Sequence, residues 1–154
     1  MLNITLLTIG KIKDKSINDL ILEYLKRLKP YAKINIEELK SESFKVDNKN
    51  KAKEVEGERI LNYLKKYPDS QVILLTENGK TFDSVEFSDF INNENTHFIF
   101  VIAGSLGFSK AVENKIKTSL SLSKMTFTHE MARLILLEQI YRAITIHKKK
   151  EYHY

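Results

Sequence analysis

Apolar positions in this chain form short β-branched runs that alternate with longer stretches at helical spacing. The first unit is a predicted strand at residues 2–9 and a helix at 17–28, whose start carries a capping pattern at residues 16–19. The second unit is a strand at 34–39 followed by a helix at 52–67. Strands that alternate with helices predict an α/β sandwich built on a parallel sheet.

Two continuous apolar runs mark the middle of this sheet. Residues 72–75 and 98–102 show no polar alternation, which is typical of strands covered by helices on both faces. Weaker patterns predict three further elements: a short helix at 83–92, another at 109–117 capped by Ser109, and a fifth strand at 120–122. No linker, repeat or low-complexity segment divides the chain, so we expect a single domain over residues 1–154.

The last predicted helix, at residues 129–146, is apolar on almost every side. A helix of this kind needs cover on all sides. In a chain of this size one face would meet its own sheet and the opposite face a second copy, which predicts a homodimer. Glu138 and Arg142 interrupt the apolar surface four residues apart, a spacing that suits an intrahelical ion pair as well as a catalytic role.

The composition narrows the chemistry. The 154 residues include no cysteine and only four scattered histidines, which argues against disulfides, thiolate catalysis and a metal centre. The longest apolar run, at 98–103, is far shorter than the ~20 residues that span a bilayer. Lysines follow the first apolar run instead of preceding it, the reverse of a secretory signal. We therefore expect a cytoplasmic protein with no membrane segment and no metal.

The charge balance favours an anionic partner. A formal net charge of +5 and a pI near 9.2 suit nucleic acid, because lysines near phosphates release counterions. Twenty acidic residues are mixed with the twenty-five basic ones, however, so an ordinary solvated surface explains the same total. Charge alone leaves both interpretations open.

Glycines after the third and fourth predicted strands indicate a ligand held by main-chain groups. They are Gly79, Gly104 and Gly107. Open parallel sheets bind ligands beyond the carboxyl ends of their strands, where a missing side chain lets N–H and C=O groups approach. A phosphate-binding P-loop is excluded, because Leu74 stands where such a motif requires a glycine five positions before Gly79.

The second half of the chain carries a specific series of segments. They are LSLSKMTF at 120–127, His129, Arg133, LLEQIYRA at 136–143, and Tyr152-His153. Together with the glycine loops they resemble the RlmH (YbeA-like) family of SPOUT methyltransferases over essentially the full length. The resemblance implies methylation of N3 of a pseudouridine in helix 69 of large-subunit ribosomal RNA, with S-adenosylmethionine as the cofactor.

The resemblance also implies a fold and a set of cofactor contacts. The fold would contain a C-terminal trefoil knot, which topology rules alone argue against, in a homodimer that acts on ribosomal RNA in the assembled ribosome. Carried over by position, the cofactor contacts are expected at Leu75, Ala103, Gly104, Gly107, Leu122, Ser123, Lys124, Met125, Thr126 and Phe127. An apolar slot with main-chain hydrogen bonds suits an adenine ring.

The C-terminal tail is expected to carry the RNA chemistry. His153 is the leading candidate for the base that removes the N3 proton, with a frayed terminal histidine as the alternative. Arg142 would stabilise the developing N3 anion or bind phosphate, and Tyr152 would stack on a base. Candidate RNA contacts are the lysines Lys11, Lys13, Lys148, Lys149 and Lys150.

Two loop positions and the C-terminal tail depart from the family pattern. Ala103 and Leu106 stand where the family has a glycine and an acidic residue, and the tail reads KEYHY instead of a family His-Pro-Tyr-His-Arg ending. Tyr154 cannot replace a guanidinium that binds phosphate. The altered tail leaves open a non-catalytic RNA-binding or ribosome-assembly module with the same fold. The α/β alternation, taken alone, also leaves open a monomeric flavodoxin-like small-molecule protein.

Overall fold

The computed structural model describes residues 1–153, and their five-stranded sheet is wholly parallel. The strands are β1 Leu2–Ile9, β2 Ala32–Leu39, β3 Gln71–Thr81, β4 His97–Ile102 and β5 Ser119–Ser121. The helices are α1 Lys15–Leu28, α2 Lys49–Leu64, α3 Ser84–Ile91, α4 Lys110–Lys115 and α5 His129–His147. The strand order is β2-β1-β4-β3-β5, so β3 and β4 lie inside the sheet as predicted.

Helices cover both faces of the sheet. On one face α1, α3 and α5 enclose strand side chains such as Leu6 and Phe100, and on the other α2 and α4 enclose Leu7 and Val101. Successive strand residues point to opposite faces, so each central strand supplies both cores. This arrangement explains the continuous apolar runs, and it confirms the predicted parallel α/β sandwich.

Helix α1 has a different cap from the one predicted. Its N-cap is Asp14, whose carboxylate accepts the Ile17 N–H at 2.9 Å. The pattern at residues 16–19 lies inside the helix, so that prediction is wrong. The aspartate satisfies an N–H that the first turn leaves without a partner, a contact that is typically worth about 1 kcal/mol.

The buried face of α2 also differs from the predicted one. The helix ends at Leu64, so Tyr67 lies beyond it. Its buried residues include Glu56 and Gly57, whereas Val55 is partly exposed. A charged residue within the buried face breaks the apolar pattern from which the face was predicted.

Strand β3 is much longer than its apolar run. After Leu75 its pairing with β5 shifts, and both Leu75 and Lys80 pair with Leu120. A Cβ on Gly79 would stand 2.6 Å from the carbonyl carbon of Leu120, so only glycine lets the two main chains approach this closely. Gly79 thus serves the crossing of β3 and β5.

Helix α5 packs against α1, α3 and β4, but it is not buried on every side. Met131 is exposed and Ile135, Glu138 and Arg142 are partly exposed, so one stripe of the helix is uncovered within the protomer. Arg133, which lies off this stripe, is fully buried. Among residues 1–153, no helix has the length and apolarity needed to cross a membrane.

Candidate active site

The carboxyl ends of β3, β4 and β5 open into one cleft of about 890 Å³. Most of its walls come from three chain segments, at residues 75–78, 102–108 and 122–130, and Lys53 of α2 and Glu113 of α4 also line it. A volume in this range suits a nucleoside-sized ligand, and this edge of a parallel sheet is where such ligands bind. The loops after β3 and β4, whose glycines predicted a ligand site, therefore meet in this cleft. Gly79 itself does not line it.

Nine of the ten residues predicted to contact a cofactor line this cleft. They are Leu75, Ala103, Gly104, Gly107, Leu122, Ser123, Met125, Thr126 and Phe127, and only Lys124 is not among them. Further lining residues that the sequence did not single out include Thr76, Glu77, Asn78, Ser105 and Phe108. Each lies within three positions of a predicted residue in the chain, and this closeness was the one signal that could have found them.

The segment at 122–127 is held by short hydrogen bonds. The Ser121 hydroxyl lies 2.9 Å from the Ser123 carbonyl oxygen, and the Ser123 hydroxyl accepts the Met125 N–H at 3.1 Å. The side chains of Met125 and Phe127 are 73% and 41% exposed. Large apolar groups left open at the rim of a cleft are suited to cover an apolar or aromatic ligand.

A tight turn shapes the loop at 104–107. The Gly107 N–H donates to the Gly104 carbonyl at 3.1 Å, and Gly107 has a φ of +75°, a conformation that favours glycine. Leu106, which replaces the acidic residue of the family pattern, also lines the cleft. Within residues 104–107, therefore, no side chain brings a charge to the cleft wall.

The N-terminal end of α5 closes another side of the cleft. His129 lines it, and its Nδ1 is buried with no hydrogen-bond partner among the described residues. Burial lowers the pKa of His129, so the imidazole is neutral at pH 7. Glu130 follows it and accepts the main-chain N–H of Lys13, which ties the segment after β1 to this helix.

Arg133 anchors the same end of α5 beneath the cleft. Its Nη1 donates to Glu38 Oε2 at 2.8 Å, and its Nη2 donates to Thr8 Oγ1 at 2.8 Å and to the Gly10 carbonyl at 3.2 Å. These partners lie at or just past the ends of β1 and β2. The guanidinium therefore fixes the helix to the sheet edge on which the cleft is built.

The predicted catalytic residues gather in a second place, which we call the tail cluster: Tyr24, Glu138, Arg142, Tyr152 and His153. Glu138 Oε1 accepts from Arg142 Nη2 at 2.6 Å and from the Tyr152 hydroxyl at 3.1 Å. Arg142 Nη1 lies 3.4 Å from His153 Nδ1, and its guanidinium lies 4.9 Å from the centre of the Tyr152 ring. The Tyr24 and Tyr152 hydroxyls are 3.4 Å apart.

Electrostatics fix the protonation of two members of the tail cluster. The hydrogen bond with Glu138 raises the pKa of Arg142, which remains a cation. Burial and the hydrogen bond with Tyr24 raise the pKa of Tyr152, with Glu138 adding to the effect. Tyr152 is therefore a neutral phenol near pH 7, able to donate a hydrogen bond but not to act as a base.

The tail cluster and the cleft are separate within one protomer. Ala132 is the last residue of α5 that lines the cleft, and Arg142 lies ten residues further on, about 15 Å along the helix axis at 1.5 Å per residue. The structure thus brings Arg142, Tyr152 and His153 together, but it does not bring them to the cleft of the same chain.

The lysines predicted to contact RNA fall into two groups. Lys11 and Lys13 are exposed beside the N-terminal end of α5. Lys148, Lys149 and Lys150 are exposed at the other end, where Lys148 and Lys150 lie over the Tyr31 ring. Tyr154 lies outside the described residues. Among residues 1–153, no three acidic or histidine side chains come together as metal ligands.

Comparison with known proteins shows similarity along the whole chain. The family profile described as Predicted SPOUT methyltransferase matches residues 2–153. Relatives named Ribosomal RNA large subunit methyltransferase H, from Clostridium acetobutylicum and Flavobacterium psychrophilum, are each 44% identical over 99% of both chains. A solved structure of a candidate RNA methyltransferase from Bacillus anthracis has a TM-score of 0.55 at 12% identity, covering 98% of each chain. This last likeness concerns the fold alone.

Proposed function

The chain belongs to the SPOUT methyltransferase family, and we propose that it transfers a methyl group from S-adenosylmethionine to N3 of a pseudouridine in helix 69 of large-subunit ribosomal RNA. The observation that carries the proposal is the cleft, where the loops expected to hold the cofactor lie side by side. The names of the relatives support large-subunit ribosomal RNA as the substrate. We place the reaction in the cytoplasm, on the assembled ribosome, in a protein of one domain.

The residues of the cleft fit this cofactor. Leu75, Leu122, Met125 and Phe127 offer apolar surface for an adenine ring, and the main chain of the 102–108 loop lines the same cleft. When bound, S-adenosylmethionine supplies a methyl group that its sulfonium has already activated. What is left to the protein is to orient the target base, exclude water and remove one proton.

The tail cluster supplies groups for those tasks. Arg142, a cation beside Glu138, is suited to stabilise the negative charge that develops on N3. Tyr152, a neutral phenol, offers a ring for stacking on a base. His153 takes the N3 proton on the nitrogen that faces Arg142, once that arginine turns to the substrate.

A second copy of the chain would complete the site. The tail cluster lies too far from its own cleft to act on a base held there, so we propose a homodimer in which the tail of one protomer reaches the cleft of its partner. The uncovered stripe of α5 supports this arrangement, as do the exposed Leu20 and Leu22 on α1, which packs against α5. A dimer of this kind would gather both lysine groups around one site.

We also propose that the C-terminal part of the chain is knotted. Two observations support the knot. Strand β5 pairs with β3 although β4 lies between them in the chain, and the main chain of Gly79 presses directly on that of Leu120. A close main-chain approach of this kind, which a side chain at position 79 would block, is suited to a crowded crossing of chain segments.

Mixing two inactive variants tests the shared site. His153→Ala removes the proposed base, and Ala103→Trp fills the cleft. If the tail acts on the partner's cleft, random re-pairing should restore about a quarter of the wild-type number of sites, because half the dimers then contain one intact site. Single-turnover methyl transfer measures the recovery, with each variant alone as the control. No recovery after verified exchange of protomers would mean that each tail serves its own cleft.

Cofactor binding and the modified nucleotide test the function itself. Calorimetry with S-adenosylmethionine should show micromolar binding, and mass spectrometry of ribosomal RNA from a strain without the gene should lack the methylated pseudouridine. The altered tail favours the RNA-binding module as the second candidate. Absence of cofactor binding, together with unchanged ribosomal RNA, would establish that module instead.

A further inference from the structure

A buried carboxyl group lies directly behind the cofactor loop. Glu56 of α2 is 5% exposed, and a Cβ built on Gly104 would stand 3.4 Å from its Oε2 and 3.6 Å from its Oε1. Both oxygens therefore face the side of Gly104 that carries no side chain. Glu56 does not line the cleft itself, so it touches the loop from behind.

The neighbouring residue of α2 braces the other end of the same loop. A Cβ on Gly57 would stand 2.2 Å from Ser109 Oγ, and Ser109 is the N-cap of α4. Residues 104 and 109 thus both pack against α2, at the consecutive residues Glu56 and Gly57. The turn at 104–107 is held between these two contacts.

The Oε2 atom of Glu56 is buried and has no hydrogen-bond partner among the described residues. The charged groups that face it are Arg59 on the same helix and Glu42 before it in the chain, and these two pair with each other at 2.7 Å. Arg59 is therefore already neutralised by Glu42. The main chain of Glu42 offers the carboxyl group one hydrogen bond, but an ionised carboxylate with its second oxygen buried and unpaired is unfavourable, so the acid form is favoured.

We propose that Glu56 is a positioning residue for the cofactor: as a neutral carboxylic acid beneath Gly104, it holds the Ala103–Gly107 loop in the shape that binds S-adenosylmethionine. The inference rests on the proposed function, since it assigns a task within that cofactor site. The acid form carries one O–H that can donate and no charge, whereas a carboxylate would bring only acceptors and a charge next to Gly104.

This proposal has a consequence for pH. Burial raises the pKa of Glu56, against the smaller lowering effects of the Glu42 main chain and Arg59. The neutral form is complete below the ordinary pKa of a glutamate and is lost as pH rises through the raised value. Affinity for the cofactor, and the stability that the neutral form contributes, should fall over the same window.

Calorimetry with S-adenosylmethionine at a series of pH values tests the proposal. Glu56→Ala should weaken binding roughly tenfold, because the loop loses its support. Glu56→Gln keeps a neutral donor of the same shape, so it should bind as the wild type does at low pH and show no decline as pH rises. Glu58→Ala, an exposed glutamate on the same helix, is the matched control and should follow the wild-type curve.

The outcomes are distinct. Wild-type affinity in both Glu56 variants, with an unchanged pH profile, overturns the positioning role and leaves the proposed function intact. Tight binding by the wild type with weak binding by Glu56→Gln also overturns it, because a charge is then required. If Glu56→Ala does not fold, the pH profile of Glu56→Gln decides alone. A wild-type protein that binds no cofactor at any pH overturns both proposals.

Discussion

Replacing His153 by alanine is expected to lower the single-turnover rate of methyl transfer by roughly 10²–10⁴-fold, the usual contribution of a positioned general base. The target nitrogen carries a proton that must leave as the methyl group arrives. Among the grouped side chains of the tail cluster, Arg142 is a fixed cation and Tyr152 a phenol with a raised pKa. The Glu138 carboxylate already accepts hydrogen bonds from Arg142 and Tyr152, which leaves the imidazole of His153 as the proposed base.

Measuring cofactor affinity together with the single-turnover rate separates an effect on the chemical step from an effect on folding or binding. Cofactor affinity should not change in His153→Ala, because the role proposed for His153 is to take a proton from the target base and His153 does not line the cleft. His147→Ala is the matched control, since His147 is an exposed histidine at the end of α5, outside the cluster. An unchanged rate in His153→Ala would remove His153 as the base and leave the tail a role in binding alone.

The strands and helices were largely predictable because the buried positions of this sequence are mostly apolar and recur at the spacing of each element. Strands β3 and β4 contact a core on both faces, so they carry continuous apolar runs. The cleft proposed to bind the cofactor was predictable in position from the glycines and in detail only from the resemblance to a family. Contacts made by the main chain do not depend on the type of residue, so a single sequence contains no pattern that identifies them.

Other features depend on contacts between distant parts of the chain, which local patterns do not record. Arg133 looked like an interruption of an apolar helix, yet it is buried because Glu38, ninety-five positions earlier, pairs with it. No local pattern marks Glu56 as buried, because its surroundings also come from distant parts of the chain. The tail cluster and the cleft lie apart because they adjoin different parts of α5. The hydrophobic periodicity of that helix does not indicate whether the tail acts on the cleft of its own chain or on that of a partner.

The pairing of Arg133 with Glu38 leads to the largest expected effect on stability. Glu38→Leu should destabilise the protein by about 3 kcal/mol, because it leaves a buried guanidinium with only neutral acceptors. The Arg133 side chain is 3% exposed and that of Glu38 32%, so water can replace the arginine around Glu38 better than it can replace the glutamate around Arg133. For a chain of this length the midpoint of thermal unfolding should fall by about 6–12 °C.

A double variant distinguishes a buried charge from simple loss of packing. Arg133→Met alone should cost about 2 kcal/mol, since the Thr8 hydroxyl and the Gly10 carbonyl lose their donor. The double variant that combines Arg133→Met with Glu38→Leu should lose less stability than the two single variants lose together. The difference should be at least about 1 kcal/mol, because no unpaired charge is left in the core. Glu23→Leu, in the exposed pair with Arg27, should hardly move the midpoint. Strictly additive effects in urea or thermal unfolding would show that the two side chains contribute independently, and the ion pair would then not be what fixes α5 to the edge of the sheet.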